Sequence, residues 1–304
     1  DNTVYSYHEY NPFLVSHAAA NWVGDAPMSA EYVYPGKILT EINWANWSEE
    51  AAALNAPAAD WQMLDSGEMT VPPGVEFATL KLSVGGQTGS VWFDDLEVWR
   101  NGAAQTLYNP GMEEESLNAP GAPANWSFWS DSGASGQWSG DQAHSGSHSL
   151  QLTNESENGF GIWTQSNWIF TTPLFRVQPG ETFRARGWVL APRNRGSVQI
   201  GLDYLNGTYE NYDREALRAD MLPYIHWAEQ NNVPLYVGEF GAMSTAPGDS
   251  RYALITDTIS LLNEYGAHWT IWDYRDPTAP GFGLYFGNVL DERLSEVLRL
   301  GLGR

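Results

Sequence analysis

The chain has no cysteine in its 304 residues, so no disulfide framework holds it, and its fold must rest on buried cores. Basic residues are also scarce. Lys and Arg number 15 against 37 Asp and Glu, and the formal charge of −22 repels phosphate backbones, which argues against nucleic acid as a partner. No run of about twenty apolar residues is present, so neither a membrane-spanning helix nor a membrane partner is expected. No signal peptide opens the chain, as expected of a sequence lacking its true N-terminus. The lack of cysteine fits a secreted, extracellular bacterial protein that folds without disulfides. What is plentiful is aromatic surface. Fifteen Trp and fifteen Tyr suit stacking on sugar rings, and 42% hydrophobic residues suffice for two domains.

Near the C-terminus, Pro234-Leu235-Tyr236-Val237-Gly238-Glu239-Phe240-Gly241 reads as a buried strand delivering one carboxylate to its carboxyl end. Gly238 and Gly241 allow backbone or ligand to approach Glu239 closely. A salt-bridged turn residue is the plainer reading of a lone Glu there. The context favours a site. Arg214 to Gln230 and Ser250 to Gly266 show helical spacing, Ala267 to Tyr274 reads as a second strand, and Asp291 to Leu300 as a further helix. Alternating helices and apolar strands predict a parallel sheet, most simply part of a (β/α)8 barrel, with chemistry at the strand carboxyl ends. The first residues fit the same plan: Thr3 to Tyr10 reads as a strand ended by Asn11-Pro12, with His8 and Tyr10 on one face and Glu9 on the other.

Three motifs in order resemble the C-terminal part of glycoside hydrolase family 5, the cellulase-like family: His8-Glu9-Tyr10 with Asn11-Pro12-Phe13 and Ala20-Asn21-Trp22, then Gly238-Glu239-Phe240-Gly241, then Trp269 to Tyr274. The resemblance implies strands six to eight of a TIM barrel and a retaining endo-β-glycanase, most simply an endo-β-1,4-glucanase acting on β-glucan. It makes Glu239 the nucleophile, has Tyr10 orient it, sets His8 in the same pocket, and makes Trp272 a sugar platform with Trp22 also on substrate. Core or structural roles compete for His8 and Trp272. The family's acid/base glutamate lies in an Asn-Glu-Pro motif that this sequence does not contain. The general acid and the first strands are therefore expected on a companion polypeptide carrying the N-terminal barrel half. No cofactor is expected for catalysis.

Between the two barrel segments, 1–37 and 206–304, residues 38–205 turn to Gly, Ser, Asn and Trp with short alternating strands, which predicts an inserted β-sandwich. Strands are expected at Glu76 to Val84, Ser90 to Trp99, Ser149 to Leu152, Thr182 to Leu190 and Ser197 to Tyr204. Gly89 to Val98, Asn109-Pro110-Gly111-Met112-Glu113 and His144 to Leu150 resemble the last and first parts of a jelly-roll carbohydrate-binding module. Their reversed order implies circular permutation, or else two sandwiches in tandem. The likeness implies a structural calcium held by Glu113 and Asp95. Trp126, Trp129 and Trp138, with Trp163 and Trp168, are candidate sugar platforms, only a minority of which are expected to escape the core. The rival function is a non-catalytic carbohydrate-binding fragment.

Overall fold

The computed structural model describes residues 4–46, 52–54, 56–165, 175–193 and 195–303. The chain forms two compact units. One comprises Asp1–Asn21, Met28–Thr40 and Tyr209–Arg304, the other Trp22–Pro27 and Glu41–Thr208. Trp22–Pro27 joins the second unit because Asp25 is tied into it: its carboxylate accepts the Leu117 and Asn125 amides, and Asn118 Nδ2 donates to the Val23 carbonyl.

In the first unit the strands Tyr5–Glu9, Leu235–Phe240 and His268–Trp269 form a three-stranded parallel sheet with Leu235–Phe240 at its centre. Helices Arg214–Asn231 and Ser250–Glu264 precede the second and third strands, and Glu292–Gly301 follows. This alternation is consistent with part of a (β/α)8 barrel. Asp213 starts the first long helix by accepting the Glu215 and Ala216 amides, and Asn232 ends it in the left-handed region at φ 49°. Its buried stripe is Leu217, Met221, Ile225 and Ala228. Trp227, which the spacing points inward, stands off that stripe, exposed and edge-on to Tyr5 at 4.8 Å.

The strand expected over Ala267 to Tyr274 is only His268–Trp269. Beyond it the backbone leaves regular pairing but stays close, with Thr270 N donating to Val237 O at 3.0 Å and Trp272 N to Phe240 O at 2.8 Å. That approach explains one glycine of the motif. A methyl group on Gly241 would lie 2.3 Å from the Trp272 carbonyl oxygen, and one on Gly238 would lie 2.6 Å from Ser6 Oγ.

The second unit holds most of two seven-stranded sheets, each with five strands in a continuous path and two short ones beside it. One runs Ala134–Ser139, Ser149–Asn154, Gly89–Arg100, Thr182–Ala191, Ala58–Asp65. The other runs Gly36–Asn46, Ser197–Tyr212, Phe77–Gly85, Phe160–Thr164, Ser127–Ser132. Alternation decides what faces inward. Ala78, Leu80, Leu82 and Val84 lie opposite Tyr204, Leu202, Ile200 and Val198, and all eight join one core with Val91, Phe93, Leu150, Leu152 and Phe183 of the first sheet. The unit is a β-sandwich. On the other face of Phe77–Gly85, Lys81 Nζ meets Asp203 Oδ1 at 2.8 Å, both side chains buried. The strand expected to stop at Tyr204 continues to Tyr212. Asn206-Gly207, a turn signal in isolation, is carried through as strand, and Asn43 Nδ2 bonds Thr208 Oγ1 at 3.1 Å.

Candidate active site

Parallel pairing sets His8 beside Glu239 and Glu9 beside Phe240, with a register shift between Tyr7 and His8. Glu239 therefore stands at the carboxyl end of the central strand, where its carboxylate meets groups from the edge strand. The Tyr10 hydroxyl donates to Glu239 Oε2 at 3.2 Å, and His8 Nδ1 lies 3.3 Å from the same oxygen. The carboxylate is about a third exposed, open enough to meet a ligand. Burial first, then the charge of Glu239 and its hydrogen bond, then Asp273, push the Tyr10 phenol above tyrosine's ordinary range. Tyr10 thus donates its proton and does not lose it. Trp272 follows on the adjoining segment with 47% of its surface exposed.

Glu9 points the other way, as its place in the strand predicts. It is buried, and its Oε1 accepts the Asn11 amide at 2.9 Å. Burial, reinforced by Asp220, raises its carboxyl to about 7 against the opposing effect of that amide.

Behind Tyr10 lies a layer the sequence reading passed over. His17 is buried, stacked on Phe13 at 3.9 Å and edge-on to Tyr10 at 5.0 Å and Phe282 at 5.3 Å. Burial pulls its imidazole down to about 4, so it is neutral at neutral pH. Phe282 is fixed in turn by Arg251. That guanidinium is buried, donates to the Phe282 and Gly283 carbonyls at 2.8 and 2.9 Å, and pairs with Asp291 at 2.7 Å. A single His in a loop gives no sequence signal for such a role.

The predicted binding tryptophans separate by environment. Trp22, 52% exposed, belongs to the second unit and not to the unit that holds Glu239. Trp126 is corrected from platform to core: it is 3% exposed, and its indole N–H donates to the Asn109 carbonyl at 3.2 Å. Trp163 is likewise core, donating to Gln151 O at 3.0 Å. Trp138 is half-buried against the core, stacks on His148 at 4.1 Å and donates to Met112 O at 2.6 Å. Trp129 is 51% exposed on its strand, with Phe160 edge-on to it at 6.5 Å. Trp168 lies outside the described residues.

Asp95 and Glu113 address one loop. Asp95 accepts from Ser145 Oγ at 2.8 Å and sits 2.6 Å from His144 Nδ1, while Glu113 accepts the Ser147 and His148 amides at 2.9 Å each and Ser147 Oγ at 2.7 Å. Gly146 makes room for this, since a methyl group there would lie 2.4 Å from the Glu113 carboxyl carbon. Among the described residues no group of three or more His, Cys, Asp or Glu converges as a metal-ligand set. The oxygens here are of the hard kind calcium takes, but Asp95 and Glu113 supply two carboxylates, and Asp94, the next carboxylate, accepts the His144 and Ser145 amides, so hydroxyl and carbonyl oxygens would have to complete the set.

Residues 196–277 match the family model for cellulase (glycosyl hydrolase family 5). Endoglucanase C of Acetivibrio thermocellus is 40% identical over 63 residues, 21% of this chain and 18% of the relative. Endoglucanase 3 of Fibrobacter succinogenes is 26% identical over 146 residues, 46% of this chain and 20% of the relative. The chain thus spans about a fifth of the length of the curated relatives it matches. A structure of Thermotoga maritima Cel5A with cellobiose overlays at 25% identity and a TM-score of 0.26, covering 28% of this chain and 27% of that one. Residues 196–277 are thus similar to the cellulase model of glycosyl hydrolase family 5, and parts of the chain are similar to endoglucanases.

Proposed function

We propose that the first unit is the nucleophile-bearing part of a retaining endo-β-1,4-glucanase with Glu239 as nucleophile, an assignment carried by one observation: Glu239, which lies within residues 196–277, accepts the Tyr10 hydroxyl on Oε2 at 3.2 Å. Glu239 attacks the anomeric carbon and the glycosidic C–O bond breaks, leaving a glycosyl ester on Oε. Water then cleaves the ester and regenerates the carboxylate. A phenol that keeps its proton favours the ionised nucleophile and steadies its oxygen during attack. Trp272 offers indole surface to the C–H face of a pyranose. His8, beside the same oxygen, orients the sugar hydroxyls nearest the cleaved bond.

The sequence has no Asn-Glu-Pro, so the acid that protonates the leaving oxygen is assigned to a companion polypeptide carrying the N-terminal barrel half. We read the sandwich as a circularly permuted jelly-roll carbohydrate-binding module of a secreted enzyme, with Trp129 as its platform. Its structural calcium would sit on Asp95 and Glu113, completed by the Ser145 and Ser147 hydroxyls, and would brace the loop between them.

A dinitrophenyl β-cellobioside tests the assignment, because its leaving phenolate needs no protonation. Burst release of dinitrophenolate by this chain, lost in Glu239→Gln, supports the nucleophile. Equal release by both sinks it. No release by either, with glucan retained on Trp129 and lost in Trp129→Ala, favours the alternative of a non-catalytic carbohydrate-binding fragment.

A further inference from the structure

Tyr10 is held at its carbonyl as well as at its ring. Ser16 Oγ lies 2.5 Å from the Tyr10 carbonyl oxygen and 2.9 Å from His17 Nδ1, with the Phe13 carbonyl further off at 3.4 Å. A hydroxyl has one hydrogen and a carbonyl can only accept, so that hydrogen goes to Tyr10. His17 Nδ1 must then be the donor to Ser16, which fixes the Nδ1–H tautomer and leaves Nε2 without a proton. The imidazole face rests on Phe13, and its edges meet the Tyr10 and Phe282 rings. Tyr10 and Phe282 also meet directly, edge-on at 5.8 Å.

We propose that His17 is a positioning residue: through Ser16 it holds the Tyr10 backbone, and through its ring edge it holds the phenol, so that the Tyr10 hydroxyl stays on Glu239. The neutral ring suits the place. An imidazolium there would need a counter-charge, and the rings and hydroxyl around it supply none. Phe282 meets the Tyr10 ring edge-on and Glu239 takes its hydroxyl, and Ser16 with His17 adds the hold on its backbone.

The inference rests on the Glu239 reading above, so its test separates the two. Tyrosine labelled at the carbon bearing the hydroxyl is followed by NMR at pH 10.5 in the full chain, the Tyr10 signal being assigned by its loss in Tyr10→Phe. In the parent, Tyr10 should be under about a tenth ionised; His17→Ala and Ser16→Ala should raise that to at least about a third, towards the roughly three quarters an ordinary tyrosine shows at that pH. Both should also lower kcat on dinitrophenyl β-cellobioside about tenfold with KM within about twofold. Ser16→Ala removes only a hydroxyl and keeps the test alive if His17→Ala does not fold. A lowered melting temperature with Tyr10 ionisation and kcat unmoved makes His17 a packing residue and overturns the inference. Glu239→Gln is the separate control: it should lower the ionisation threshold of Tyr10 by itself, and an unmoved Tyr10 there would overturn the Tyr10 and Glu239 pairing instead.

Discussion

The Tyr10 hydroxyl donates to Glu239 Oε2 at 3.2 Å across two parallel strands, although the residues are 229 positions apart in the chain. A carboxylate that receives a hydrogen bond from a group unable to ionise keeps both its charge and its aim. Tyr10→Phe should therefore lower kcat on the activated cellobioside about ten- to hundredfold while moving the melting temperature little. An unchanged kcat would mean that the hydroxyl does not serve the attacking oxygen.

Two buried groups near the site titrate in opposite senses, and their windows overlap. Glu9 is raised to about 7, so between its unfolded value of 4.5 and 7 the folded state holds the extra proton, and stability falls as pH rises. His17 is lowered to about 4 from 6.5, so across that range the unfolded state holds the extra proton, and stability falls as pH drops. The parent should show a nearly flat profile where the two windows overlap. Glu9→Gln should expose the histidine slope and add on the order of 2–3 kcal/mol at pH 8, while His17→Phe should expose the glutamate slope. Urea titrations at a series of pH values read both, and parallel profiles for parent and variants would contradict the assignment.

Arg251 is 3% exposed and joins Asp291 to the loop at Phe282 and Gly283. Arg251→Met leaves the Asp291 charge and two carbonyls without their donor, and should destabilise the first unit by about 3–5 kcal/mol. Differential scanning calorimetry would show the loss, and a change under about 1 kcal/mol would mean that water replaces the guanidinium.

If calcium braces the loop between Asp95 and Glu113, excess calcium should raise the melting temperature of the sandwich by a few degrees, about 3–6 °C, and Glu113→Gln should remove that rise. A melting curve indifferent to both calcium and chelator would leave the loop held by its own hydrogen bonds, with Ser145 and Ser147 as donors.

The elements most legible in the sequence were those whose pattern is local. Leu235–Phe240 shows itself as a short apolar run in which Val237 and Phe240 are covered, the helix at Arg214 by the spacing of Leu217, Met221 and Ile225, and the sandwich strands by inward positions such as Leu80, Leu82, Ile200 and Leu202 at a spacing of two. What depended on distant partners was not legible. Trp126 and Trp129 sit three residues apart in the same Ser-rich surroundings, yet one is covered because the Asn109 carbonyl lies within reach of its indole. The segment after Trp269 has the composition of a strand, but it meets the sheet through isolated bonds, to the Val237 and Phe240 carbonyls and between the Thr270 and Tyr236 hydroxyls, and not through a regular ladder. His17 acts through Ser16 and Phe282, which no window around residue 17 could bring together.

The pairing of Tyr5–Glu9 with Leu235–Phe240 encloses, between two adjacent strands, both segments of the second unit together with stretches of the first. Closing a loop costs entropy that grows only with the logarithm of its length, so stretching a crossover from some thirty residues to over two hundred adds under about 2 kcal/mol. The equilibrium hardly registers the insertion, but the order of events does. Contacts this remote in sequence form late, after the intervening segment has condensed and drawn its ends together. If the sandwich must fold first, the pairing that sets Tyr10 beside Glu239 should form no sooner than the sandwich core, and a sandwich slow to fold would delay it without touching any residue in it.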